Sequence, residues 1–151
     1  MKKVESMKTY IHYGQNNFDV DLFAPIENRP YFTKPFGGLW ASRTDAKYSW
    51  NDWCRNNDFA ECRNDNSFTF TLKDGAKVLE INSVKELKEV PKIKDDDGVT
   101  YTMIDFEKLS ESYDAIEVNI SSDHNLYFSL YGWDCDSILI MNPDIIQVGG
   151  V

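Results

Sequence analysis

The sequence predicts a single α+β domain. Three observations carry this. Strand-like runs recur along the chain, short helical stretches with recognisable caps sit between them, and no repeat or low-complexity linker divides it. At 151 residues, 42% hydrophobic and 14% aromatic, the chain is long enough to bury one real core and too apolar to be disordered.

Residues 9–14, TYIHYG, read as a first strand closing at Gly14. A long irregular segment follows, broken by Pro25 and Pro30, with Phe18, Leu22, Phe23, Ile26, Tyr31 and Phe32 as expected anchors. Pro35 and the Gly37-Gly38 pair then lead into an apolar run, Leu39-Trp40-Ala41. Two adjacent glycines allow a sharp turn or a close ligand approach. Ser42 or Thr44 is the expected N-cap of a charged helix that carries Trp50 and Trp53 and ends near Asn56-Asn57.

Further on, SFTFTL at 67–72 alternates cleanly as a strand. Asp74-Gly75 marks a turn, and AKVLEI at 76–81 is the expected hairpin partner. Ser83 with Glu86 makes a capping box for a short helix. The run Asp95-Asp96-Asp97-Gly98 lacks the alternating ligands of a calcium loop and reads as a solvated tip. A short helix is expected over 104–112, with Asp105 near its start. Three strands are then expected, at 115–120, 125–131 and 137–142, and Asn142-Pro143-Asp144 turns the chain into a last strand at 145–148.

A net charge of −9 argues against direct nucleic-acid binding, which needs clustered Lys and Arg. Three cysteines without a CxxC pair and two histidines supply a metal site poorly, and no metal is expected. The same cysteine usage points to a reduced, cytoplasmic setting. No signal peptide or membrane-length apolar run is visible, so no membrane partner is expected.

Three segments, IHYG at 11–14, FGGLWASRTDAKYSW at 36–50, and SYDAIEV at 112–118 with DCDSILIMNPDII at 134–146, together resemble the ADP-ribosyltransferase fold. FGGL is also similar to the small phage-encoded, anti-CRISPR-type mono-ADP-ribosyltransferases. The resemblance implies two small packed β-sheets with two or three helices and an NAD cleft between the sheets. It implies transfer of ADP-ribose to a macromolecular target, a host protein being favoured, in the host cytosol if the gene is phage-borne. Among site residues it implies Gly14 on the nicotinamide amide, Trp50 stacking on the ring, and His12 on the ribose hydroxyls. Tyr13, Gly37, Gly38, Trp40 and Ser42 would line the same site, and Asp136, with Asp134 as rival, would be the catalytic acid.

His12 stands one residue earlier than the family's histidine. Either Tyr13 takes the ligand-facing position or the strand is bulged. The family's acid is a Glu, so a catalytically silent, acidic protein-binding member is the alternative. A structural α+β protein without an NAD site is the third. The NAD readings need Gly14, Trp50 and Asp136 to border one cleft.

Overall fold

The computed structural model describes residues 8–29, 32–57, 64–93, 101–130 and 132–148. Seven strands form one sheet: β1 (Tyr10–Tyr13), β2 (Leu39–Arg43), β3 (Ser67–Leu72), β4 (Val78–Ile81), β5 (Ala115–Val118), β6 (Ser137–Ile140) and β7 (Ile146–Val148). Their order is β4-β5-β6-β2-β1-β3-β7. Only β4 and β5 run parallel.

Two packed sheets were expected, and one mixed sheet is found. The reason lies in β2, which pairs on both edges. Leu39, Trp40 and Ala41 oppose Ile140, Leu139 and Ile138 of β6, while Ser42 and Arg43 oppose Ile11 and Tyr10 of β1. Handing its partners over midway, β2 joins two half-sheets into one.

The sheet buries both faces. Alternate residues of β5 and β6 feed two cores: Ile116, Val118 and Leu139 join one, and Ala115, Ile138 and Ile140 join the other. All four residues of β5 and of β6 are buried, as the apolar run at 137–142 predicts for a central strand. The first core is closed by α2 (Val84–Leu87), α3 (Phe106–Leu109) and α4 (His124–Ser129) through Leu87, Phe106, Leu109 and Leu126. Phe18 and Phe23 of the long irregular segment pack onto the second. Leu22 and Phe32, expected as anchors, are largely exposed, and Tyr31 lies outside the described residues.

Three elements depart from the sequence reading. First, β4 is not the hairpin partner of β3. Both edges of β3 are taken by β1 and β7, and β4 crosses to the opposite end of the sheet. A turn signal reverses the chain but does not choose the neighbour; long-range burial does. Second, residues 125–131 were expected to be a strand, but α4 (His124–Ser129) takes up most of it, Tyr131 lying outside the described residues. Asp123 accepts from the Asn125 N–H as N-cap, and Leu126 and Leu130, one helical turn apart, are both fully buried. Third, the helix expected after Ser42 begins at Trp50. α1 (Trp50–Asn56) is capped by Ser49, whose side chain and that of Asp52 make a reciprocal capping box. Ser42 stays in β2 because its neighbours there pair with β1.

The caps at Ser83 and Asp105 are where the sequence puts them. Four α-helices, rather than two or three, stand among the described residues. The acidic run at 95–98 lies outside them.

Candidate functional site

The glycine turn is shaped by the chain's own backbone. Gly37 and Gly38 have φ of 81° and 74°, a region costly for any other residue. A Cβ on Gly37 would collide with the carbonyls of Ala24 and Pro25, and one on Gly38 would lie 2.8 Å from the Ile140 carbonyl. Gly38 also donates its N–H to the Ala24 carbonyl at 2.8 Å. The pair therefore lets residues 24–25 press against the start of β2 and aims the chain into the sheet.

On the α1 side of β2 stand Trp40 and Ser42; Leu39 and Ala41 face the second core. The Trp40 ring meets fully buried Trp133 edge-on at 4.8 Å, and Trp133 stacks over Phe106. Trp50, at the first position of α1, meets Trp53 edge-on at 6.0 Å. The ammonium of Lys34 lies over both the Trp40 and the Trp50 ring, 5.2 and 5.1 Å from their centroids. Burial lowers the Lys34 pKa, and the charge of Asp134 opposes that shift. Two indoles, one cation and one nearby carboxylate thus share a slot.

Asp134 also lines a cleft of about 390 Å³ with Tyr48, Trp53, Ser121, His124 and Tyr127. His124 is exposed and borders this cleft. No signal in the sequence marked Lys34 as the residue that meets both indoles, because it lies outside both strand and helix and meets them only in the fold.

Asp136 is held differently. It is 4% exposed, and its carboxylate accepts from the Ser121 N–H at 2.8 Å, the Ser121 hydroxyl at 2.7 Å and the Tyr48 N–H at 3.1 Å. Its own N–H donates to the Tyr48 carbonyl, and its carbonyl accepts from the Ser42 hydroxyl. Ser42 Oγ in turn accepts from the Trp50 N–H at 3.0 Å. Ser42 therefore supports the first turn of α1 from inside a strand. Asp136 ties β6 to the loop before α1 and to the turn after β5. Of the two candidate acids, Asp134 faces the open cleft and Asp136 carries the internal hydrogen bonds.

The register of β1 is regular. Residues 10–13 pair one-to-one with Phe70, Thr69, Phe68 and Ser67, so the strand has no bulge. Because Ile11 opposes Ser42, Tyr13 lies on the α1 side, and the charges of Asp52 and Arg55 act on its phenol. His12 points the other way, towards Phe68 at 5.3 Å. Its Nδ1–H donates to the Trp40 carbonyl at 2.6 Å, and burial lowers its pKa. His12 borders a separate small cavity of about 90 Å³ with Gln15, Phe18, Leu22, Gly38 and Trp40. Gly14 donates its N–H to the Asn66 carbonyl and has a φ of 119°.

The structure thus brings Tyr13, Trp40, Ser42, Trp50, Asp134 and Asp136 to one side of the sheet. Trp50 and Asp136 meet through Ser42. Gly14 lies three residues beyond the Ile11–Ser42 pair, roughly 10 Å along the strand. His12, Gly37 and Gly38 serve the opposite face and the turn.

Two arginines have partners of their own. Arg29 stacks on the rings of Phe32 and Phe36 at 3.7 and 4.6 Å. Arg43 approaches Glu117, 2% exposed, at 3.1 Å, an ion contact without hydrogen-bond alignment. Burial raises the pKa of Glu117 against the opposing charge of Arg43. Cys54 is disulfide-bonded, whereas the cysteine usage pointed to a reduced setting. Cys135 is a buried thiol pushed up to about 12 by burial.

Among the described residues no group of three His, Cys, Asp or Glu could hold a metal ion, and no helix is long and apolar enough to cross a membrane. No protein family, curated protein or solved structure matches this chain.

Proposed function

We propose that this chain is a mono-ADP-ribosyltransferase-like protein that uses NAD to modify a macromolecular target, a host protein in a phage or mobile-element setting. One observation carries the reading. The Trp40 and Trp50 rings both meet one positive charge, on which the Asp134 carboxylate acts. The nicotinamide of NAD is a flat aromatic cation, and two indole faces with a carboxylate nearby are the chemistry that receives one. Breaking its bond to ribose leaves positive charge on the sugar, which a carboxylate stabilises. In this reading Trp50 and Trp40 hold the ring. Asp134 faces the developing charge, and Asp136 positions α1 and Tyr48 from behind. Tyr13 lies on the same side from β1. Gly14 takes no part, its N–H being held by the Asn66 carbonyl roughly 10 Å along the strand, so this reading departs from the single cleft of Gly14, Trp50 and Asp136 that the resemblance implies.

A second reading has a specific observation in its favour. The Asp136 carboxylate already accepts three hydrogen bonds from the protein, as expected of a scaffold carboxylate in a silent member that binds a partner through its acidic surface.

The test is NAD calorimetry together with an assay of nicotinamide release, on the wild type, Trp50→Leu and Asp134→Ala. The transferase reading expects NAD to bind, Trp50→Leu to weaken it about tenfold through loss of one cation–π face, and Asp134→Ala to stop release while binding persists. Binding without release in the wild type selects the silent member. Absence of binding at millimolar NAD refutes both.

A further inference from the structure

Lys34 is an unusual tenant of the slot. The backbone around it is anchored: Thr33 is buried and its carbonyl accepts from the indole N–H of fully buried Trp133 at 2.9 Å, and Pro35 is buried on the other side. Only the four-carbon side chain is left to move. Among the described residues its ammonium makes no salt bridge, since every ion pair within 4.0 Å involves other cations. It is held by two ring faces at 5.2 and 5.1 Å and by the more distant charge of Asp134.

That is a poor exchange for a primary ammonium, the most strongly hydrated of the common organic cations. A flat or alkylated cation gives up less hydration and offers more surface to the rings.

Building on the slot used in the proposed function, we infer that Lys34 is a built-in occupant that competes with an incoming organic cation, and that the Trp40–Trp50 slot takes such a cation once the Lys34 side chain swings out. The free protein therefore keeps its own site filled, and apparent affinity is reduced by the fraction of molecules in which Lys34 is in place. Asp134 is left uncompensated when Lys34 leaves, so the vacated slot favours a cation over a neutral ring of the same shape.

The probe is 1-methylnicotinamide, a pyridinium salt, with neutral nicotinamide as its uncharged control. Binding is followed through the 15N-indole signals of Trp40 and Trp50. Lys34→Met keeps the apolar stem and removes the charge, and Lys34→Gln provides a second neutral side chain should the first disturb folding. Both variants should bind 1-methylnicotinamide about tenfold tighter than the wild type, with a smaller gain for neutral nicotinamide, which enters the same vacated slot without the attraction of Asp134. Equal or weaker binding of the pyridinium salt in folded variants overturns the inference. NAD calorimetry on the same proteins separates the two claims. NAD bound by wild type and variants, with no gain for 1-methylnicotinamide, sinks the occupant role and leaves the transferase reading. A gain for 1-methylnicotinamide without NAD binding sinks that reading and keeps the cation slot.

Discussion

Replacing Asp136 by Ala should destabilise the protein severely even though it lies outside the two cores. The carboxylate is 4% exposed and accepts hydrogen bonds of 2.7, 2.8 and 3.1 Å from Ser121 and Tyr48. A hydrogen bond to a charged group contributes about 1.5–3 kcal/mol, so three sum nominally to about 4–9 kcal/mol. The sum overstates the loss, because the three share one acceptor and Ser121, being exposed, can find water once the carboxylate is gone. The Asp136 backbone bonds to Tyr48 and Ser42 survive the substitution. About 3–5 kcal/mol is the expected cost, or a fall in Tm of about 8–15 °C for a domain this size. Asp136→Asn keeps one carbonyl oxygen for the Ser121 N–H but turns an amide NH2 towards a second donor, and should cost about half as much. Denaturant unfolding followed by tryptophan fluorescence and far-ultraviolet circular dichroism, with coincident transitions, measures both. A loss below about 1 kcal/mol in Asp136→Ala would refute the scaffold role assigned here. The result also governs interpretation of activity: loss of turnover in an Asp136 variant counts as chemistry only where the fold is intact.

Three further outcomes are expected. Gly37→Ala should cost about 2–4 kcal/mol, since it combines a left-handed φ with a clash against backbone carbonyls that cannot move aside; a neutral effect in denaturant unfolding would mean that the turn is not as tight as described. The lowered His12 pKa means that the folded state prefers the neutral ring, so its contribution is present above the ordinary value of 6.5 and is lost as pH falls below it. His12→Asn, which keeps a donor for the Trp40 carbonyl, should therefore close part of its stability gap to the wild type between pH 7.5 and 5.5, read by urea midpoints at each pH. For Glu117 the sign is opposite. Its raised pKa makes its contribution complete below 4.5 and lost as pH rises through the folded value, so Glu117→Gln should gain on the wild type from pH 4 to pH 7, and a flat difference would count against a buried, protonation-favouring carboxyl.

Residues whose partners are close along the chain were legible in the sequence. The SFTFTL strand, the Ser83–Glu86 capping box, the Asp105 cap and the buried strand at 137–140 follow from alternation, side-chain reach and local composition. The stretch at 125–131 differs from its strand expectation because a short, largely apolar run of seven residues fits a strand or a helix equally well. Only the pocket beneath Leu126 and Leu130 decided for the helix. The aromatic residues of 36–53 stand on the α1 side of β2, where Lys34 lies over Trp40 and Trp50 and Ser42 links Trp50 to Asp136.

Tertiary structure alone decided the rest. β2 could join two half-sheets only because its two ends find different neighbours, and no local property of LWASR encodes that. Strand parity along β1 was readable, but which parity faces α1 depended on the pairing of Ile11 with Ser42. The division of labour between Asp134 and Asp136, two residues apart and chemically identical, is set by Ser121 and Tyr48 arriving from elsewhere in the chain. Lys34 over two indoles is the same kind of fact. A sequence by itself determines what each segment can form and which groups it carries. Which groups meet depends on burial shared by segments tens of residues apart, and that is a property of the folded chain.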